Sequence, residues 1–243
     1  QEIELRMKEI AVKNIESKDY KLISGYCYTG TGPTGASGRI SYTMGLRGPC
    51  MTIDTACSSA LTCTHVAMQA LRNKDCKIAV VGAASIISEP DQSLNFCRLN
   101  ALSPEARCKS FDDAANGYIR SEGVCAMIIK RLSDAQKDGD NILAVIKGSA
   151  VNQDGKSKRF TAPSTVAQGL LHTAALKNAQ LQPIDIDYIE AHGTGTKVGD
   201  PAEVRGLLFA YEKYRTKEKP LLIGAIKSNI GHMECNAGMA SMF

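Results

Sequence analysis

The chain has 243 residues, 44% of them hydrophobic and 22% charged, with a formal net charge of +4. That is ordinary globular composition with length for a sizeable core, and the charge excess has no basic block of the kind that binds nucleic acid. The longest apolar run, 78–87, is about half of the ~20 residues a membrane-spanning helix needs, so neither nucleic acid nor membrane is an expected partner.

In chain order, residues 2–15 set Ile3, Leu5, Ile10 and Val12 among charges, which predicts a surface helix. With acids at the start and no apolar stretch after them, no secretory signal is expected in these residues. Five glycines between Gly25 and Gly38 predict a loop. Gly30, Gly32 and Gly35 nearly spell a phosphate-binding Gly-x-Gly-x-x-Gly, but no strand precedes them and Pro33 intrudes. Residues 39–44 read as a short helix and 45–49 as a turn. Residues 51–55 are β-rich and feed a helix over 57–71, whose Ala60, Leu61, Thr64, Ala67, Met68 and Leu71 share one face. A strand over 77–84 is apolar on both faces, as in a buried sheet. After a loop reaching 123, strands follow over 124–130 and 142–151. A helix over 163–178 has Pro near its start, and a strand over 186–190 leads to His192. Asp200-Pro-Ala-Glu203 has the spacing of a helix start, with Asp as N-cap, Pro at the first position and Glu at the third. A strand over 221–225 precedes Lys227, and helix resumes after Gly231. Strands alternating with helices predict an α/β fold with a largely buried sheet. The absent initiator Met and an ending inside an apolar run predict a piece of a longer protein.

Nine cysteines are present, an odd number with no C-x-x-C pair. That argues against a zinc site and against a disulfide framework, and for a reducing compartment, hence the cytoplasm. Most of these thiols read as small core hydrophobes, among them Cys63, Cys97 and Cys125. His65 and His172 fall within amphipathic helices and read as packing or surface residues.

Three segments set a reactive side chain where a strand breaks, which is where α/β folds place their sites. Asp54-Thr-Ala-Cys57-Ser-Ser puts a thiol at a helix start, where orphan N–H groups favour thiolate. Glu190-Ala-His192-Gly-Thr-Gly-Thr196 delivers an imidazole to a Gly-rich break with two hydroxyls, and Lys227-Ser-Asn-Ile-Gly-His232 offers a cation and a second imidazole. Taken singly, each also has a structural reading: a buried thiol, a histidine bonded to backbone, a solvated lysine. Together they are the ingredients of nucleophilic thiol chemistry.

These segments resemble the three active-site motifs of β-ketoacyl synthases, most closely the ketosynthase domains of type I polyketide synthases. Gly38-Arg-Ile-Ser-Tyr42, Gly117-Tyr-Ile-Arg-Ser-Glu-Gly123 and Asn152-Gln-Asp-Gly155 match as well, so the resemblance runs from about residue 25 to 238. It implies a thiolase-like layered αβαβα fold, incomplete at both ends and usually a homodimer. An N-terminal half over about 1–150 would carry the thiol, and a C-terminal half over about 151–243 the two histidines. It implies decarboxylative Claisen condensation, with Cys57 as nucleophile, His192 and His232 stabilising the enolate, and Lys227 holding the network, with Glu234 a candidate partner. Thr194 and Thr196 would contact the phosphopantetheine arm, with Asp200 supporting. No metal and no bound cofactor are implied: phosphopantetheine arrives on acyl carrier protein, with acyl and malonyl thioesters as substrates. Three places depart from the family pattern: Cys50 replaces the usual Ser, Asn116 the usual Asp, and Cys235-Asn236 two alanines. A thiolase-like CoA acyltransferase and a silent ketosynthase-like scaffold are the alternatives.

Overall fold

The computed structural model describes residues 25–157, 159 and 161–243, so the helix expected over 2–15 lies outside the described residues. The chain divides after Asp54 into two compact units.

In the first unit the Gly-rich stretch is helical rather than loop: α1 spans Tyr26–Thr31 and α2 spans Thr34–Met44. One of its glycines, Gly35, serves close packing. A Cβ on Gly35 would lie 2.7 Å from the Thr29 carbonyl oxygen, so only glycine lets α2 turn back over α1. Gly45, at φ 65°, ends α2 in the left-handed conformation, and Leu46 N–H reaches back to the Ser41 carbonyl at 2.9 Å. Residues 51–55 form no ladder strand, because no strand runs alongside them among the described residues.

The second unit holds two small sheets. Strands β1 (Ile78–Ser85) and β2 (Gly123–Lys130) pair antiparallel, from Ile78 opposite Lys130 to Ser85 opposite Gly123. Helix α3 (Ser59–Arg72) packs on one face, where Ala60, Val81 and Met239 form a core with Cys63, Ala67, Cys125, Met127 and Ile129 around it. The strand expected to be buried on both faces is therefore buried on one. Ile78, Val80, Val124 and Ile128 point to the other face and are exposed. Between the strands lies a helix not expected from the sequence, α4 (Asp91–Arg98), a polar segment with Pro90 at its N-cap. The polar link after β2 is α5 (Leu132–Asp138), closed by left-handed Gly139. Residues 142–151, expected as a strand, carry no regular structure, again for want of a neighbouring strand among the described residues.

The second core lies between α6 (Thr165–Ala179) and α7 (Gly199–Tyr211), where Leu176, Leu207, Ala210 and Tyr211 pack against Ile186, Ile189 and Leu221. Strands β3 (Tyr188–Glu190) and β4 (Leu222–Gly224) pair in parallel beside it. β3 leads to the segment that carries His192, and β4 to the one that carries Lys227. After β4 comes α8 (Lys227–Ile230), and after a single 3-10 turn over Glu234–Asn236 comes α9 (Ala237–Ala240).

Asn236 is fully buried, and its Oδ1 has no hydrogen-bond partner among the described residues, while Nδ2 meets only the sulfurs of Cys125 and Met233. An unsatisfied buried acceptor costs ~1–3 kcal/mol, more than the ~1 kcal/mol expected for the small cavity left by truncation. Asn236→Ala is therefore expected to raise the melting temperature by a few degrees. A lower melting temperature would show that this amide stabilises the core.

Candidate active site

The thiol is presented by a tight turn. Ala56 adopts a left-handed φ of 55°, and the turn is pinned by Ser59, whose hydroxyl donates to the Ala56 carbonyl at 2.6 Å and accepts the Thr55 N–H at 2.9 Å. Helix α3 begins only at Ser59, with Ser58 as N-cap. Cys57 thus precedes the helix instead of opening it, one residue outside the array of orphan N–H groups. Burial pushes the Cys57 thiol up, with the Glu234 carboxylate adding to it, while the Lys227 cation opposes this and does not win. Burial therefore works against the thiolate expected at a helix N-terminus.

His232 is almost completely buried, and its Nε2 lies 3.1 Å from Cys57 Sγ. The ring is anchored twice. Its backbone pairs with the segment before β2, its N–H donating to the Ile119 carbonyl at 2.7 Å and its carbonyl accepting from Ser121 N–H at 3.0 Å. Its Nδ1 accepts the Glu234 backbone N–H at 2.9 Å. Nδ1 therefore carries no proton, and the neutral ring holds its proton on Nε2, aimed at the sulfur. His192 stands edge-on to this ring, 5.4 Å away centre to centre, and Tyr118 tilts against it at 5.0 Å. His192 opens to the outside while protein still crowds its ring. That crowding and the Lys227 cation bring it down to about 4. His232 falls further, to about 3, through burial, then His192, then Lys227. Both rings are neutral near pH 7 and offer N–H donors.

These depressed values set an acid limit. A histidine with an ordinary value near 6.5 unfolded and about 3–4 folded takes up its proton more readily in the unfolded chain. Stability is complete above about 6.5 and declines as pH falls toward 4. Thermal melts are expected to shift down between pH 7 and 5, and replacing both histidines is expected to flatten that slope. An unchanged slope in the double variant would contradict the depressed values.

Acids from the first turn of α7 hold the histidine loop. Asp200 is buried and accepts N–H groups from Phe111 at 2.7 Å and from Gly195 at 3.1 Å. Glu203 accepts from His192 N–H at 2.6 Å and Gly193 N–H at 2.8 Å. Asp200 is thus not the N-cap the sequence suggests: Val198 occupies that place, and both carboxylates turn away from their own helix to the loop. Glu203 was legible only as a capping acid. Thr194 is buried, with its hydroxyl 3.1 Å from that of Thr196, which also accepts Gly199 N–H. Gly195, at φ 72°, keeps the loop tight against Lys109, where a Cβ would come within 2.7 Å of the backbone nitrogen.

Lys227 is 3% exposed; burial lowers its pKa, and Glu203, Cys57 and Glu190 pull it back up. The partner considered for it, Glu234, is instead held by Arg120 through Nε–Oε1 at 2.5 Å and Nη2–Oε2 at 2.9 Å. The guanidinium fork matches a carboxylate in two places, which an ammonium cannot do. Arg120 stood in a matched motif, but nothing local in the sequence ties it to Glu234.

The ligand atoms of Cys57, His192 and His232 lie within 4.8 Å of one another, close enough to consider a metal. The wiring does not fit one. A metal on His232 Nε2 would force the proton onto Nδ1, against the Glu234 N–H donor, and Lys227 adds a positive charge nearby.

With this geometry the class is clear, and comparison with known proteins agrees. The model for the N-terminal domain of β-ketoacyl synthases matches residues 7–135, and that for the C-terminal domain matches 143–243. The chain belongs to the β-ketoacyl synthase family. It is 46% identical over 220 residues to polyketide synthase GfsA of Streptomyces halstedii, covering 90% of this chain and 3% of that protein. It is 47% identical over 220 residues to erythronolide synthase EryA3 of Saccharopolyspora erythraea, covering 90% of this chain and 7% of that protein. Among solved structures, the ketosynthase from module 6 of the bacillaene synthase of Bacillus subtilis superposes with a TM-score of 0.85 at 42% identity, covering 90% of this chain and 40% of that one. The oxazolomycin ketosynthase domain of Streptomyces albus gives the same score and identity over 87% and 37%. The fold is therefore the thiolase-like α/β fold, and the chain spans well under half the length of the relatives it matches.

Proposed function

We propose that this chain supplies the nucleophile and both histidines of a ketosynthase that extends acyl chains by decarboxylative Claisen condensation within a polyketide synthase. The observation that carries the reading is the 3.1 Å approach of His232 Nε2 to Cys57 Sγ, with the His192 ring beside it. In the loading step Cys57 Sγ attacks the carbonyl of an acyl thioester. A new carbon–sulfur bond forms, the old one breaks, and the departing carrier thiol leaves with the proton that Cys57 gave up. In the second step a malonyl thioester loses CO₂. The electron pair of the broken carbon–carbon bond becomes an enolate, whose oxygen takes hydrogen bonds from the neutral imidazoles. The enolate carbon attacks the Cys57 thioester, a carbon–carbon bond forms and Cys57 leaves as thiolate. The product is a β-ketoacyl thioester two carbons longer.

On this reading the partners are acyl carrier protein, bearing phosphopantetheine, and a second copy of the domain as homodimer, working in the cytoplasm. Thr194 and Thr196 contact the pantetheine arm, and Lys227 adds its charge to the burial that keeps the two imidazoles neutral. No helix of the described residues is long and apolar enough to cross a membrane. The test is mass spectrometry of the parent synthase after incubation with an acyl thioester. Acylation confined to the Cys57 peptide supports the reading. Acylation spread over many thiols, or none, rejects it in favour of a scaffold.

A further inference from the structure

Arg120 donates to neither the thiol nor either imidazole, yet it sits at the root of a side-chain network that reaches His232. Its side chain is 5% exposed. The guanidinium grips both Glu234 oxygens, donates to Ser93 Oγ at 2.6 Å and Gln92 Oε1 at 2.7 Å, and lies 5.4 Å from the Phe96 ring centre. Gln92, Ser93 and Phe96 all belong to α4. What this holds in place is a strained backbone: Glu234 has a φ of 46°, a conformation that costs a non-glycine residue ~1–2 kcal/mol. In that conformation its N–H meets His232 Nδ1 at 2.9 Å and leaves Nε2 as the ring's only donor. The same segment, 119–121, also pairs with the His232 backbone. One stretch of chain thus fixes the ring's position through its backbone and its proton through a side chain.

We infer that Arg120 is a positioning residue: by clamping the Glu234 carboxylate it holds residue 234 left-handed, so that the Glu234 N–H keeps the His232 proton on Nε2. This rests on the ketosynthase reading for its consequence in the reaction, but not for the wiring itself. Without the clamp, residue 234 relaxes out of the left-handed region, Nδ1 loses its donor, and the ring populates the other tautomer, which offers no N–H to the sulfur or to an enolate. A wrong tautomer in a comparable imidazole relay lowers turnover by up to ~10⁴.

Glycine separates this role from ordinary structural support, because it adopts positive φ without an anchor. In the parent synthase, Glu234→Ala and Glu234→Gly both delete the ion pair and differ by one Cβ. CO₂ release from a malonyl thioester is expected to fall by on the order of 10² in Glu234→Ala, and Glu234→Gly to retain at least about tenfold more than Glu234→Ala. Arg120→Met is expected to behave like Glu234→Ala, and Arg120→Met/Glu234→Gly to recover toward Glu234→Gly. The rate of iodoacetamide labelling at Cys57, read by peptide mass spectrometry, is expected to follow the same order. That second readout needs no substrate, so it decides the inference even if the wild type releases no CO₂, a result that would instead reject the proposed function. Labelling of buried Cys108 identifies a variant that fails to fold, leaving the Glu234 pair to decide. Equal behaviour of Glu234→Ala and Glu234→Gly, or no recovery in the double variant, would overturn the role.

Discussion

Cys57→Ala in the parent synthase is expected to abolish acyl loading outright, the largest effect of any single substitution in this chain. Loading needs a sulfur that can form a thioester beside a hydrogen-bond donor, and Cys57 is the thiol within reach of His232 Nε2. Other thiols do not compensate. Cys108 bonds to the backbone around Ile119, and Cys235 donates to the Ala84 carbonyl at 2.9 Å. The raised Cys57 pKa adds a pH signature. Loading of the wild type should climb with pH through and above neutrality, because burial keeps the resting group a thiol whose proton must be given up. Acyl-enzyme mass spectrometry across a pH series checks both points. Continued full loading in Cys57→Ala would overturn the assignment of the nucleophile.

The second large effect belongs to the histidines. His232→Ala or His192→Ala is expected to leave measurable loading of Cys57, yet to lower condensation by ~10²–10³, the usual cost of removing one donor from a developing oxyanion. The two losses will not add. The rings stand 5.4 Å apart and face the same small space, so one enolate oxygen can draw on both. His232→Ala should be the more severe for loading, since it removes the donor nearest the sulfur. The acid limb of condensation should lie well below the ordinary histidine value, because the rings are held at about 4 and about 3. An acid limb near 6.5 would mean that one of them works as imidazolium.

Much of this site was legible in the chain. Each of the three motifs is contiguous, and each follows or forms a sharp turn, so Cys57, His192, Lys227 and His232 could be named before any of them was seen together. The strands β1 and β2 were legible because their apolar runs are long, and α6 because its N-cap Ser164 follows a proline. What was illegible depends on tertiary context. The glycines of 25–38 look like a loop by composition, but the stretch is helical and one of them, Gly35, permits α1 and α2 to approach each other. Residues 51–55 and 142–151 have strand-like sequences, and a strand exists only where a neighbour takes its hydrogen bonds. Asp200 and Glu203 fit a helix-capping pattern and instead clamp a loop at a distance, and Glu234 is partnered by Arg120, 114 residues away. The Cys57 thiol follows the same pattern: the helix start that favours thiolate can be read from sequence, the burial that opposes it cannot.

In the proposed reaction two neutral imidazoles stabilise an enolate independently of the thiol's own chemistry. Cys57→Gln tests it most directly, because it removes the nucleophile while a polar side chain still fills its place. CO₂ release from a malonyl thioester should continue in this variant without any elongated product, and should drop ~10²–10³-fold when His192→Ala is added. Loss of CO₂ release in Cys57→Gln alone, or its full persistence after His192→Ala, would contradict the account.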